Sequence, residues 1–239
     1  MLVEVLSRDD SFVIDVPDDI ANVLPFKSEL IRWKEELYFR TPYEADLSSL
    51  KRYVRVEVGK AYYWPPGKAF CIFYGISEPY TEVYLIGNYL GTLSHLRRIN
   101  EGEVDIRKHE LYGELSPLTE SLIKLGYAVS TPLSDGVRVI MASKYLGGAR
   151  IALSATKEDF GIYIESDSFF KYSEGPQDLR LAHRLKHKVN SLTNSVRLDL
   201  SEDGYVCLTA TANDLTQLAA VVNELEYAYQ YVLKELIAT

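Results

Sequence analysis

The sequence predicts a mainly β chain. A closed antiparallel barrel is expected over residues 1–112, followed over 116–239 by a smaller α+β domain with helices packed on an antiparallel sheet. Three observations predict it. Short strand-like runs, LVEVL, SFVIDV, ELYF, VRVEV, AFCIFYG, EVYLIG and EVDIR, follow one another at close spacing up to residue 107, broken by Gly and Asp, as in barrels of short strands. Beyond Leu111-Tyr112-Gly113 helical and strand-like runs mix. Gly113 and Pro117 bracket the change and mark a boundary.

The most informative stretch is YYWPPGKAFCIFYG, residues 62–75. Pro65 and Pro66 offer no N–H to a ladder, so strand pairing stops there. Gly67 is expected to turn the chain at positive φ. From Ala69 onward successive side chains take opposite faces, with Ala69, Cys71 and Phe73 on one and Phe70, Ile72 and Tyr74 on the other. One set fills the barrel and the other is free to line an outer cleft. Aromatics in such a strand are most often core. Yet Tyr62, Tyr63, Trp64 and Tyr74 crowd one hairpin end, and polar-tipped aromatics are common in binding surfaces.

Four pieces of the first 110 residues, in order, resemble the small prokaryotic cyclophilin-like family: SELIRWKEELYFRTP, VEVGKAYYWPPGKAFCIFYG, EVYLIGNYLGTLSHLRRINEGE and the closing EVDIR. The resemblance implies the cyclophilin barrel and a ligand cleft near Trp64. The residues it brings to that cleft are Trp33, Glu36, Tyr38, Tyr63, Trp64, Pro65, Gly67, Phe73, Tyr74 and Gly75. It also raises the isomerase activity of eukaryotic-type cyclophilins, in which an arginine steers the lone pair of a proline nitrogen. Arg32 stands near that arginine's place, with Phe73 and Tyr74 to seat the ring, but the Phe-His pair and the Gln-Gly-Gly-Asp segment are missing. Ala69 or Cys71 falls where the glutamine belongs. The expectation is therefore a peptide- or small-molecule-binding module; the alternative is a divergent peptidyl-prolyl isomerase. Arg32 and Glu36 read as a structural pair.

In the second half Ser116-Pro117 opens a helix. VRVIMASKY and RIALSAT flank the hairpin signal Leu146-Gly147-Gly148-Ala149. A helix from Pro176 to Leu192 places Leu179, Ala182, Leu185, Val189 and Leu192 on one stripe. VRLDL and YVCLTATA form a hairpin through Ser201-Glu202-Asp203-Gly204. A last helix, Asp214 to Leu236, carries a seam of Leu215, Leu218, Val222, Leu225, Tyr229, Val232 and Leu236. This order resembles YbjN-like and type III secretion chaperone-like domains, which implies a protein partner. A second strip on the last helix, Val221, Tyr227, Ala228 and Tyr231, is surplus to one sheet and predicts a homodimer.

Charge and composition limit the function. The 239 residues are 47% hydrophobic with net charge −8, shared equally by the two halves, so a nucleic-acid partner is not expected. Cys71 and Cys207 read as free, buried thiols of a cytoplasmic protein. The opening MLVEVLSRDD has no signal-peptide pattern, and no apolar run approaches ~18 residues, so no membrane association is expected. His183 and His187 lie four apart on a helix, but in His-Arg-Leu-Lys-His cationic neighbours crowd them. No metal or cofactor is expected.

Overall fold

The computed structural model describes residues 1–237. Its backbone packing divides the chain into two units, Met1–Gly113 with Ser130–Val139, and Glu114–Val129 with Ile140–Thr239. The expected second segment, 116–239, thus does not all pack as one piece: residues 130–139 pack with the first unit.

The first unit is a closed barrel. Its strands are β1 (Leu2–Ser7), β2 (Asp10–Asp15), β3 (Phe26–Trp33), β4 (Glu36–Arg40), a two-residue β5 (Arg52–Tyr53), β6 (Lys60–Trp64), β7 (Ala69–Phe73), β8 (Val83–Tyr89) and β9 (Gly102–Lys108). Eight of them close antiparallel in the order β2-β1-β9-β3-β4-β7-β6-β8. The ring is sealed where β8 returns to β2 at Ile14–Tyr89 and Asp15–Asn88. Gly87 permits that seal, since a Cβ there would lie 1.8 Å from the Asp15 carbonyl oxygen. Inside, Val3, Val5, Phe12, Ile14, Leu30, Phe39, Phe70 and Ile72 form one apolar core with Leu96 of the short helix α1 (Leu93–Arg98).

Two expectations fail locally. VRVEV is not a strand; only Arg52–Tyr53 pairs with β8, and Val54 is 63% exposed. Side chains take its backbone amides instead of a ladder: Val56 N–H donates to the Glu78 carboxylate and Glu57 N–H to the Tyr62 hydroxyl, each at 2.9 Å. The run of short strands instead lacks β6, which carries the hairpin-end residues Tyr62, Tyr63 and Trp64. Similarly, KSELIRW forms β3, paired with both β4 and β9.

After helix α2 (Ser116–Lys124) and β10 (Ala128–Ser130), a small ribbon of β11 (Leu133–Ser134) and β12 (Val137–Arg138) packs with the barrel. Glu4, 2% exposed, holds it. Its carboxylate accepts from Ser11 Oγ at 2.7 Å, Arg107 Nη2 at 3.0 Å and Arg138 Nη1 at 2.5 Å. Burial alone would push the Glu4 carboxyl up. Hydrogen bonds from His109, Arg138 and Ser11 outweigh it and hold the group well below the usual carboxylate range.

The second unit carries a sheet in the order β10-β13-β14-β15-β18-β16, with β17 also on β18. The added strands are β13 (Ile140–Leu146), β14 (Ala149–Glu158), β15 (Gly161–Ser166), β16 (Phe170–Lys171), β17 (Val196–Leu200) and β18 (Tyr205–Ala212). Helices α3 (Pro176–Leu192) and α4 (Leu215–Ile237) match the predicted spans closely. The α4 seam from Leu218 to Val232 is buried in the unit's core, with Leu185 and Val189 of α3. Val221 and Ala228 are buried there too, because α4 packs against α2, α3 and the sheet together. The strip expected to be left in water is therefore mostly covered, and only Tyr227 and part of Tyr231 reach the surface. Glu226, at the heart of this packing, accepts from Tyr127 Oη at 2.9 Å and pairs with Lys144 Nζ at 2.7 Å.

Replacing Glu4 by Ala leaves Arg138 and Ser11 without their acceptor. The variant should lose about 3 kcal/mol in urea unfolding. Because the folded-state carboxyl is depressed, the parent's advantage is present at neutral pH and fades as pH falls below the ordinary value of 4.5. A loss under about 0.5 kcal/mol at pH 7 would contradict this role.

Candidate functional site

Strand register sets which residues meet outside the barrel. In the β3–β4 hairpin Trp33 faces Glu36 and Ile31 faces Tyr38. Across β4–β7, Glu36 faces Phe73 and Tyr38 faces Cys71; across β6–β7, Tyr62 faces Cys71 and Trp64 faces Ala69. Directly opposed residues share a sheet face, so Trp33, Glu36, Tyr38, Tyr62, Trp64, Cys71 and Phe73 all point outward. Tyr62, Cys71, Phe73 and Val83 form a small buried cluster there, with Tyr38, Tyr53, Trp64 and Leu85 packed against it.

Over this cluster lies a cleft of about 180 Å³, lined by Trp33, Glu36, Tyr38, Trp64, Cys71, Pro79, Tyr80 and Val83. Its outer wall is the loop from Gly75 to Glu82, folded back by polar ties. Glu35 N–H donates to Ser77 Oγ at 3.0 Å, and Ile76 N–H to Glu35 Oε2 at 2.8 Å. Trp64 Nε1–H donates to Thr81 Oγ1 at 2.8 Å. Tyr80, itself 83% exposed, meets Trp33 edge-on with ring centroids 5.9 Å apart.

Glu36 is the unusual member. It is only 6% exposed, and among the described residues no Lys, Arg or His pairs with it. Burial pushes its carboxyl above the ordinary value, while a hydrogen bond from the Cys71 thiol pulls the other way. Burial, reinforced by the Glu36 charge, drives the Cys71 thiol far up. Cys71 is thus a protonated donor, not a nucleophile. Lys34 Nζ rests over the ring of its neighbour Trp33, 4.2 Å from the centroid.

The residues expected at a ligand site divide. Trp33, Glu36, Tyr38 and Trp64 line the cleft, and Phe73 is fully buried in the cluster beside it. Pro65 and Gly67 form a 3-10 turn behind Trp64. The positive φ there belongs to Lys68, at 45°, not to Gly67. Gly67 serves a different purpose: a Cβ on it would lie 2.3 Å from the Trp64 ring, so the glycine makes room for the indole. Tyr63 and Tyr74 point inward and join the barrel core. Gly75 begins the wall loop against the Glu35 carboxylate.

Arg32 points inward as well. Its Nη1 donates to the Tyr74 hydroxyl, and Nη2 reaches the carbonyls of Ile99 at 2.6 Å, Leu96 at 3.2 Å and Arg97 at 3.3 Å. It caps the carbonyls at the end of α1, which lack partners within the helix. Arg32 and Tyr74 therefore lie on the inner face and Phe73 on the outer, so the three isomerase candidates do not share a surface. Nor are Arg32 and Glu36 paired: they lie on opposite faces of the hairpin.

Sequence reasoning missed Pro79, Tyr80 and Val83, and took Cys71 only as a core thiol. The available signal was Pro79-Tyr80, an aromatic in the polar loop SEPYTE, where nothing else in the loop needs a large ring.

Fold and site together define a closed eight-stranded antiparallel barrel with a cleft lined by aromatic residues on its outer face. Residues 4–107 match the model of the Cyclophilin-like family. The chain is similar to the hypothetical protein AF2241 from Archaeoglobus fulgidus, whose solution structure is known: 25% identity over 45% of this chain and 94% of that one, TM-score 0.35. It is also similar to McbB, solved in complex with tryptophan: 14% identity over 44% of each chain, TM-score 0.36. No curated protein matches.

Glu36 makes a prediction about pH. A carboxyl whose folded value is raised keeps its proton to higher pH than in the unfolded chain. Stability therefore falls as pH rises from 4.5 through the folded value. Glu36→Gln should remove that fall and be more stable than the parent at pH 7 by thermal unfolding. A Gln variant less stable at pH 7 than at the parent's level would show the charge to be a structural asset.

Proposed function

We propose that the barrel unit is a binding module that takes a small ligand, or one side chain of a peptide, into the outer cleft. The observation that carries this reading is the convergence of aromatic walls on a single buried carboxyl without a cationic partner. Burying such a group without a cation costs the fold stability, and a ligand site gives a reason to keep it. The size agrees with a single head group: pockets for drug-sized molecules run to about 300–1,000 Å³, against about 180 Å³ here. The inward bonding of Arg32 supports binding in preference to isomerisation. On this reading the second unit is an interaction domain, a role supported by its exposed Phe160, Leu200 and Tyr227.

Trp33 and Trp64 are the chain's two tryptophans and both line the cleft, so selectively excited tryptophan fluorescence reports on it. Titration with broad metabolite and peptide libraries should give saturable changes that Trp64→Ala or Tyr80→Ala weakens by about tenfold. Changes unaffected by either substitution, or no saturable change across the libraries, would overturn the reading.

A further inference from the structure

We propose that the cleft is selective for an organic cation, an ammonium or quaternary ammonium head group, with Glu36 as its counter-ion and the rings of Trp33, Tyr38, Trp64 and Tyr80 as its walls. The inference rests on the reading of the cleft as the ligand site and adds the chemical class of the ligand.

The sign of the charge follows from two independent features. The first is Glu36 itself. An anion would be repelled by it, and a neutral ligand without a donor would displace water from the carboxylate while giving nothing back. A cation offsets the buried charge itself. At 6% exposed the group can meet a partner only through the cleft that it lines. The second feature is the wall. Four rings, Trp33, Tyr38, Trp64 and Tyr80, line the cleft, and an aromatic face carries the negative part of a quadrupole that attracts ammonium ions without needing N–H donors from them. Buried carboxyl and aromatic lining thus favour the same charge.

The site already shows this behaviour in miniature. Lys34 places its ammonium 4.2 Å from the Trp33 centroid. It is exposed and on the β3–β4 turn, and it forms no ion pair with Glu36, so it does not fill the role of counter-ion. The cleft volume of about 180 Å³ suits a head group of a few heavy atoms. The wall loop, tied through Thr81 and Ser77, closes over one side of it.

The test uses the full chain, with binding read by calorimetry and tryptophan fluorescence. Choline and n-butylammonium are compared with their neutral counterparts 3,3-dimethylbutan-1-ol and butan-1-ol. N-acetyl-trimethyllysine methylamide forms a further arm, separating a peptide side chain from a free small cation as the source of the group. The cations should bind with Kd of about 1 mM or tighter, and the neutral compounds at least about tenfold more weakly. Glu36→Gln, checked for folding by circular dichroism, should abolish that preference. The tighter of choline and the lysine derivative identifies the source. Neutral compounds binding as well as the cations, with Trp64→Ala abolishing both, would overturn the inference and leave the cleft as the ligand site. Saturable binding by none of the probes would also overturn it, and the cleft reading would then stand or fall on the broader library titration.

Discussion

In β7 the side chains of Phe70 and Ile72 point into the barrel while those of Cys71 and Phe73 point out of it, and the whole strand is buried. A strand that is apolar on both faces must be covered on both. The inner face is covered by closure of the ring. The outer face cannot be, because a barrel has only one inside, so it requires a second layer built from whatever the chain can fold over it. β5, the Val54–Gly59 segment and the loop after Gly75 supply that layer. The cleft is the part of the outer face that this thin cover leaves unfilled.

That arrangement explains why a carboxylate is found where an apolar side chain would pack. Glu36 takes an outward position by strand parity, opposite Phe73 and Trp33. Its neighbours across the sheet are rings and a thiol, so its surroundings desolvate it without neutralising it. Elsewhere in the molecule buried acids are compensated. Glu4 has Arg107 and Arg138, Glu226 has Lys144, and Asp167 has Arg150. Glu36 differs in having no cationic partner, and burial pushes its carboxyl up. The contrast within one chain is what motivates the proposed role of Glu36 in ligand binding.

Much of this was legible in the sequence, and the rest was hidden for physical reasons. Pro65-Pro66-Gly67 and the alternation from Ala69 to Tyr74 located the strand, the turn and the two faces, because these depend on local covalent geometry. The hairpin at Gly147-Gly148 and the spans of α3 and α4 were equally local. What could not be read depended on long-range pairing. VRVEV has a strand's alternation, but its amides are taken by Glu78 and the Tyr62 hydroxyl. Gly67 was assigned a backbone role, whereas its neighbour Trp64 requires the space. Val221 and Ala228 looked surplus to one sheet because the contribution of α2 and α3 to the cover of α4 is not visible in the helix itself. Which aromatics face outward was settled by register: Tyr63 and Tyr74 lie beside Trp64 and Phe73 in sequence and on the opposite side of the wall in space.

The proposed cation site turns on Glu36 being a buried carboxyl without a cationic partner. The most direct measurement is its own titration, followed by NMR of the side-chain carboxyl carbon in the full chain, with Glu36→Gln identifying the resonance. The account predicts a midpoint above the ordinary 4.5 in the free protein, shifting downward when the protein is saturated with choline, since a bound cation favours the charged form. A midpoint at or below 4.5 in the free protein, or one that choline leaves in place while occupying the cleft, would contradict it.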